Sequence, residues 1–143
     1  MGMLNKLRLY VKNRWIHKTH QLTSKLEKGE WHDLDERILH CLFDSLVEFV
    51  EQETGMESLE WQSKLTGKDW GFAETSSAYN IPVPQALDAQ EAIDLYHWWK
   101  EIRPKRPHAN EVNEWNDYYG DKPDDEDTVM LIRLIKIRHF LWT

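Results

Sequence analysis

Two predicted helices each carry a histidine between two carboxylates at helical spacing. The two sets are Glu36, His40 and Asp44, and Asp94, His97 and Glu101. Because residues three or four apart share one face of a helix, each set can approach a divalent cation from one side. Two such helices facing each other would build a di-metal site of the kind found in helical bundles. Neither set has the Glu-x-x-His spacing of di-iron carboxylate bundles, so solvated faces with local His–carboxylate pairs are the favoured interpretation.

Acidic pairs offer a second, weaker indication of metal chemistry. Helical metal-dependent nucleotide pyrophosphohydrolases use Glu-x-x-Glu and Glu-x-x-Asp motifs, and the chain contains Glu48-x-x-Glu51 and Glu91-x-x-Asp94. With 25 acids in 143 residues, chance placement alone produces such pairs. The dipeptide His32-Asp33 is typical of HD phosphohydrolases, but the spacing to an upstream histidine is short. A metal-dependent nucleotide phosphohydrolase with a divalent metal cofactor therefore stays an alternative only.

The segment YHWWKEIRPKRP (96–107) combines aromatic and basic residues and is the best candidate for a binding surface. Helical spacing sends two adjacent tryptophans about 100° apart, so one is expected in the core and the other beside the cations. A planar aromatic next to guanidinium groups suits a nucleotide base, a phosphate or an acidic partner helix. The alternative is ordinary core packing, with a solvated basic turn that pairs with the acids at 124–127. The predicted binding residues are Trp98, Trp99, Lys100, Arg103, Lys105 and Arg106.

The sequence contains no Gly-rich phosphate loop, no Cys/His zinc pattern and no nucleophile motif. No catalytic residue is therefore predicted. The single cysteine, Cys41, excludes an internal disulfide and lies in an apolar helical run, where a small core residue is the expected role.

Three central elements must position these side chains. Apolar residues from Asp33 to Glu53 cover a wide arc, which predicts a central helix with neighbours on two sides. A short helix is predicted around Ser58–Leu65, and another over Ala89–Ile102 with Asp88 as its N-cap. Residues 62–85, rich in Gly, Ser, Thr and Pro, are typical of a long central loop.

The two ends of the chain differ in character. Residues 3–16 form either a basic amphipathic helix or an extended arm, and periodicity does not decide between them. The final nineteen residues, 125–143, predict a helix that is apolar on nearly all sides, which must be surrounded by its own domain or by a neighbouring subunit. Its cations Arg133, Lys136 and Arg138 need partners. The acidic face of residues 33–51 is one candidate, and an anion pocket or an oligomer interface lined by these cations is the alternative.

Composition supports one folded domain over residues 1–143, an all-α helical bundle of about four helices with a long central loop. The chain is 41% hydrophobic and 12% aromatic with a net charge of −7. Residues 1–30 carry seven Lys/Arg against two acids, a net of +5, while residues 31–60 carry one Arg against nine acids, a net of −8. Because duplex-binding domains are normally basic overall, nucleic acid is disfavoured as a partner, although the basic arm keeps it open. The C-terminal apolar run is too short and too charged to span a bilayer, so no membrane partner is expected.

Three blocks of the sequence resemble a known group of proteins. They read WHDLDERILHCLFDSLVEFVEQE (31–53), AIDLYHWWKEIRPKRP (92–107) and EDTVMLIRLIKIRHFLWT (126–143). They are similar to uncharacterised proteins encoded by tailed bacteriophages. That group has no assigned activity, so the resemblance implies no functional residue. It implies a protein made in the host bacterial cytoplasm, with the virion as the alternative location.

We therefore expect a small non-enzymatic phage protein that binds a host protein or a small anionic ligand such as a nucleotide, as a homo-oligomer. The first alternative is the phosphohydrolase, with the six histidine and carboxylate residues above as metal ligands or base. The second alternative is a structural component of the virion.

Overall fold

A computed structural model of the protein describes residues 2–16, 22, 24–106 and 123–141, without the side chains of 123–125. The described residues form five α-helices: α1 Met3–Val11, α2 Leu34–Glu48, α3 Met56–Gln62, α4 Pro84–His97 and α5 Pro123–Lys136. Within these ranges the β-type pairing is a single bridge between Thr66 and Pro82. The predicted all-α class is confirmed. The finer prediction of a four-helix bundle around a central loop is not confirmed, because α1 makes a fifth helix that buries none of its residues.

Helix α2 is the central element that the periodicity predicted. It begins after Asp33, whose extended backbone precedes two acids in the first turn, where the helix macrodipole favours negative charge. Beyond Glu48 it continues to Glu53 with the wider i→i+5 hydrogen-bonding pattern. Gly55, at φ 84°, then redirects the chain into α3. The predicted helix over 33–53 is thus confirmed.

Helix α4 begins earlier than the sequence pattern indicated. The prediction of Asp88 as N-cap is wrong: Val83 is the residue in extended conformation, and Pro84 occupies the first helical position. Proline is well suited there, because its fixed φ matches the helix and its missing N–H has no intrahelical partner to lose. The helix then continues through Trp98–Ile102 with i→i+5 geometry and ends in a 3₁₀ turn, Arg103–Lys105.

The central segment between α3 and α4 has no helix or strand of its own, yet it is closed by backbone hydrogen bonds. Gly67 N donates to Ile81 O at 3.1 Å, and Lys68 N donates to Tyr79 O at 2.8 Å. A side chain at Gly67 would collide with the carbonyl group of Ala78. Such pairing satisfies backbone groups that an open loop would leave to water.

The core lies between α2, α4 and α5 and centres on aromatic rings. Phe43, fully buried, stacks on Trp99 with ring centroids 4.7 Å apart and lies 5.2 Å from Trp98. Both tryptophans are buried, at 2% and 8% exposure, so the expectation that only one enters the core is wrong. Neighbours on two sides bury the rings: Phe43 of α2 stacks on Trp99, and Glu126 near the start of α5 accepts a hydrogen bond from Trp98 Nε1 at 3.0 Å. Leu95 and Leu134 complete the contact from α4 and α5.

Helix α5 has two apolar faces, and only one of them is covered. Leu134 is buried in the core, and Ile137 is buried just beyond the end of the helix. On the outer face Val129, Ile132 and Ile135 are exposed by 53%, 49% and 42%. The helix is therefore surrounded by its own domain on one side only.

The partner predicted for the cations of α5 is also different from the one observed. Arg133 binds Glu91 of α4 through Nε and Nη2, at 2.6 and 2.8 Å. The prediction that residues 33–51 supply this partner is wrong for Arg133, because the arginine faces α4 and not α2.

We expect Phe43→Ala to lower the free energy of unfolding by about 3–5 kcal/mol, because it removes the ring between Trp98 and Trp99 and leaves a cavity. Trp61→Ala is the control: Trp61 is 65% exposed, so its loss should change stability by no more than about 0.5 kcal/mol. Urea denaturation measures both. Equal losses for the two variants would contradict this location of the core.

Candidate functional site

The predicted aromatic and basic binding residues lie where α4 ends. Trp98 and Trp99 face the core, and the cations that follow cover their outer side. The guanidinium carbon of Arg103 lies 4.7 Å from the ring centroid of Trp99, and that of Arg106 lies 5.7 Å from Trp98. These are cation–π contacts within the chain. The faces that a ligand base would stack on are thus already occupied by protein groups.

Both arginines bind the acidic first turns of α5. Arg103 donates through Nε and Nη2 to the two carboxylate oxygens of Asp127, at 3.1 and 3.0 Å. Arg106 donates to Glu126 at 2.7 Å and to Asp127 at 2.6 Å. Trp98 Nε1 adds a bond to Glu126 at 3.0 Å. We call these four charged residues the arginine–carboxylate cluster; it joins the end of α4 to the start of α5.

The cluster lowers the pKa of one carboxyl group, that of Glu126. The hydrogen bonds from Arg106 and from Trp98 hold the pKa of Glu126 below its ordinary value of 4.5. Asp127 and Arg103 are 16% and 25% exposed, so this pair is partly withdrawn from water. Charge-assisted, two-point hydrogen bonds of this type are the strong ones. The arrangement is typical of ion pairs that hold two helices together, here the end of α4 and the start of α5.

The other two predicted binding cations are placed differently. Lys100 Nζ lies 3.0 Å from Glu51 Oε1, which also accepts a hydrogen bond from the Tyr96 hydroxyl at 2.9 Å. The hydrogen bond from Lys100 lowers the pKa of Glu51, and the one from Tyr96 adds to this. Lys105 is exposed on the 3₁₀ turn. An anion could reach the arginines only by displacing acids of the chain, so ligand binding at these six residues stays a prediction.

The first histidine–carboxylate set is largely engaged in packing. Asp44 is 3% exposed, and its Oδ2 accepts a hydrogen bond from the backbone N–H of Lys25 at 2.6 Å. His40 Nδ1 lies 3.7 Å from the same oxygen, and its ring meets Trp99 edge-on at 4.8 Å. Burial lowers the pKa of His40. Glu36, the third member, instead has its Oε2 at hydrogen-bonding distance from His32 Nδ1, 3.0 Å.

The second set lies on the exposed side of α4. His97 Nδ1 lies 3.2 Å from Glu101, and Asp94 accepts a hydrogen bond from Gln90 at 2.8 Å. In the part of the chain that the structure describes, no three His, Cys, Asp or Glu side chains converge to hold a metal ion. The structure therefore does not bring the two sets together as a di-metal site.

Sequence reasoning missed an open cavity of about 450 Å³, with polar and apolar side chains in its lining, formed by four segments that are distant along the chain. Gln85 Nε2 donates to Gln62 Oε1 at 2.9 Å on one side, and His139 Nε2 lies 2.9 Å from Asp88 on the other. No local pattern relates residues of α3, α4 and the turn after α5, so no sequence signal was available for this cavity.

Among the apolar side chains that face solvent, those of two helices form continuous surfaces. One is the outer face of α5, already described. The second is the N-terminal helix, which we define as residues 3–16: α1 together with its i→i+5 continuation Lys12–Ile16. None of its residues is buried, and Leu4 and Trp15 are exposed by 83% and 70%.

No protein family, curated protein or solved structure matches the chain. Among the helices described, none is long and apolar enough to cross a membrane.

We expect Asp127→Asn to lower the free energy of unfolding by about 2 kcal/mol, because it leaves two partly buried guanidinium groups short of a charged partner. Lys105→Ala, on the exposed side of the same turn, is the matched control and should be close to neutral. Chemical denaturation at neutral pH measures both. A neutral Asp127→Asn would show that the cluster does not fasten α4 to α5.

Acid should weaken the same cluster. A carboxyl group whose pKa is lowered by folding contributes stability above its ordinary pKa and loses that contribution as the pH falls through the lowered value. The difference in unfolding free energy between the parent protein and Glu126→Gln should therefore be largest near neutral pH and shrink below about pH 4. Denaturation series at several pH values test this, and a difference that grows on acidification would reverse the expected sign.

Proposed function

We propose that the protein is a small non-enzymatic binding protein that works as a homo-oligomer, self-associating through the outer face of α5. The observation that carries this proposal is the half-exposed apolar stripe of Val129, Ile132 and Ile135 on a helix whose other face is core. The resemblance of three sequence blocks to proteins of tailed bacteriophages supports a role in the cytoplasm of an infected bacterium, on a host protein.

The spacing of the stripe favours contact with another helix. Its members follow one another at intervals of three residues, so they form a continuous ridge along the exposed side of α5. Contiguous apolar ridges on a small protein are typical of association surfaces. Burying such a ridge would contribute about 25 cal/mol to the free energy of association for each Å² of apolar surface.

The charge distribution of α5 favours a second copy as the occupant. Asp124 and Asp125 lie in the first turn of α5, and Lys136 and Arg138 lie at or just beyond its other end. A two-fold axis perpendicular to α5 would pair the two copies antiparallel, so that the acidic start of one helix meets the basic end of the other. The helix dipoles are then also opposed favourably.

A protein partner is better supported than a small anion. The arginines that would hold a phosphate, Arg103, Arg106 and Arg133, already bind carboxylates of the chain. A nucleotide would have to displace Glu126, Asp127 or Glu91 and leave that acid without its partner. Association through apolar surface has no such cost.

We expect size-exclusion light scattering to show a mass above the 17.2 kDa of one chain at micromolar concentration, and Ile132→Glu to return it to that of the monomer. The substitution puts a charge in the centre of the stripe, where pairing would bury it. Ile81→Glu is the matched control: Ile81 is 56% exposed but lies in the central segment, away from α5.

Circular dichroism checks that both variants stay folded. A parent protein of 17.2 kDa at every concentration would contradict the proposal. Equal masses for the parent and Ile132→Glu, both above one chain, would show that another surface mediates the assembly.

A further inference from the structure

We propose that the N-terminal helix is an interfacial anchor that lies on an anionic lipid surface and holds the acidic body of the protein beside it. The expectation of no membrane partner came from the C-terminal run, which cannot span a bilayer. A helix that lies in the plane of the surface needs no spanning length.

The first support is exposed apolar surface on a helix that makes no extensive contact with any other helix that the structure describes. Leu4, Leu7, Val11 and Trp15 follow each other at intervals of three and four residues and so share one side of the helix. Their exposed fractions are 83%, 60%, 45% and 70%. Because the helix contributes no residue to the core, its sequence is free of any packing requirement from the body. This apolar stripe therefore needs an explanation outside the fold.

The second support is the sign and position of the charges. The chain has no acid before Glu27, whereas Lys6, Arg8, Lys12 and Arg14 all lie on the N-terminal helix. Within α1, at 100° per residue, Arg8 borders the apolar stripe and Lys6 lies away from it. Long cationic side chains at the border of an apolar face can extend to anionic headgroups while the stripe enters the acyl boundary.

These features favour lipid over the other classes of partner. Contacts with nucleic acid phosphates use cations and leave an apolar stripe without a role. A protein groove would have to be apolar along fourteen residues and acidic along both rims. A lipid surface supplies apolar depth and negative charge along any length, and Trp15 at the end of the stripe is a residue typical of membrane interfaces.

One helix of this length binds lipid only marginally, as does a single acyl chain. A homo-oligomer would present two or more copies on one surface, and the second attachment would then be intramolecular. Lipid binding does not depend on the proposed self-association, but the two would reinforce each other.

The test is co-sedimentation of the full chain with vesicles of equal parts phosphatidylglycerol and phosphatidylcholine, compared with pure phosphatidylcholine. We expect binding to the anionic vesicles to be at least roughly tenfold stronger. Leu7→Ala/Val11→Ala keeps every cation, and Arg8→Gln/Lys12→Gln keeps the apolar stripe; each should weaken binding by roughly tenfold. Leu34→Ala/Ile38→Ala, an exposed apolar pair on α2, is the matched control and should bind like the parent.

Equal binding to both vesicle types, no binding, or binding that Leu7→Ala/Val11→Ala leaves unchanged would overturn the proposal. So would a fall in solution mass for this variant without lipid, since a second copy would then cover the stripe. Retention on duplex DNA in place of vesicles, lost only in Arg8→Gln/Lys12→Gln, would identify nucleic acid instead. Ile132→Glu should keep the anionic preference at reduced strength, which separates failure of the anchor from failure of self-association.

Discussion

The structure depends on one interaction, the fastening of the start of α5 to the end of α4 by the arginine–carboxylate cluster. Residues 107–122 lie between these two ends in the sequence, so chain connectivity alone does not impose the contact. Arg103 and Arg106 contact the indole rings of Trp98 and Trp99 and bind two carboxylates beyond them. The same groups therefore cover the aromatic core and position the helix that completes it. Because the charges are paired and only partly exposed, removing one of them leaves another without compensation.

These contacts of Arg103 and Arg106 change the interpretation of residues 96–107, the segment predicted to bind a ligand. Aromatic and basic residues in 96–107 match the composition of a nucleotide site, and they match equally well a basic turn that meets an acidic helix. The contacts observed are those of the second arrangement. What the chain offers to partners is apolar surface, on the outer face of α5 and along the N-terminal helix, and polar groups around the cavity beside His139.

Local patterns predicted the elements better than the contacts between them. The wide apolar arc of residues 33–53 is a property of one helix, and α2 follows it closely. The start of α4 was misplaced because Asp88 with Glu91 and Val83 with Pro84 are both valid helix starts, and only packing of the first turn distinguishes them. The paired burial of Trp98 and Trp99 depends on contacts with α2 and with the start of α5, which the residue pattern of one helix does not show. The partner of Arg133 depends on which side of α5 faces α4. Because the sequence of α5 is apolar on nearly all sides, it does not indicate that side. The cavity at Gln62 and Gln85 joins residues from distant elements, so it was beyond prediction from one sequence.

The polar ties between α4 and α5 have a mechanical consequence. Helices α4 and α5 run antiparallel, and the ion pairs lie at three successive positions along them: Arg103 with Asp127, Glu91 with Arg133, and Asp88 with His139. A slip of α5 by one helical turn, about 5.4 Å, would separate all three pairs at once. Intermediate registers are therefore unfavourable, and α5 either stays in this alignment or detaches as a unit. The apolar ridge on its outer side is thus held in a fixed position relative to α4.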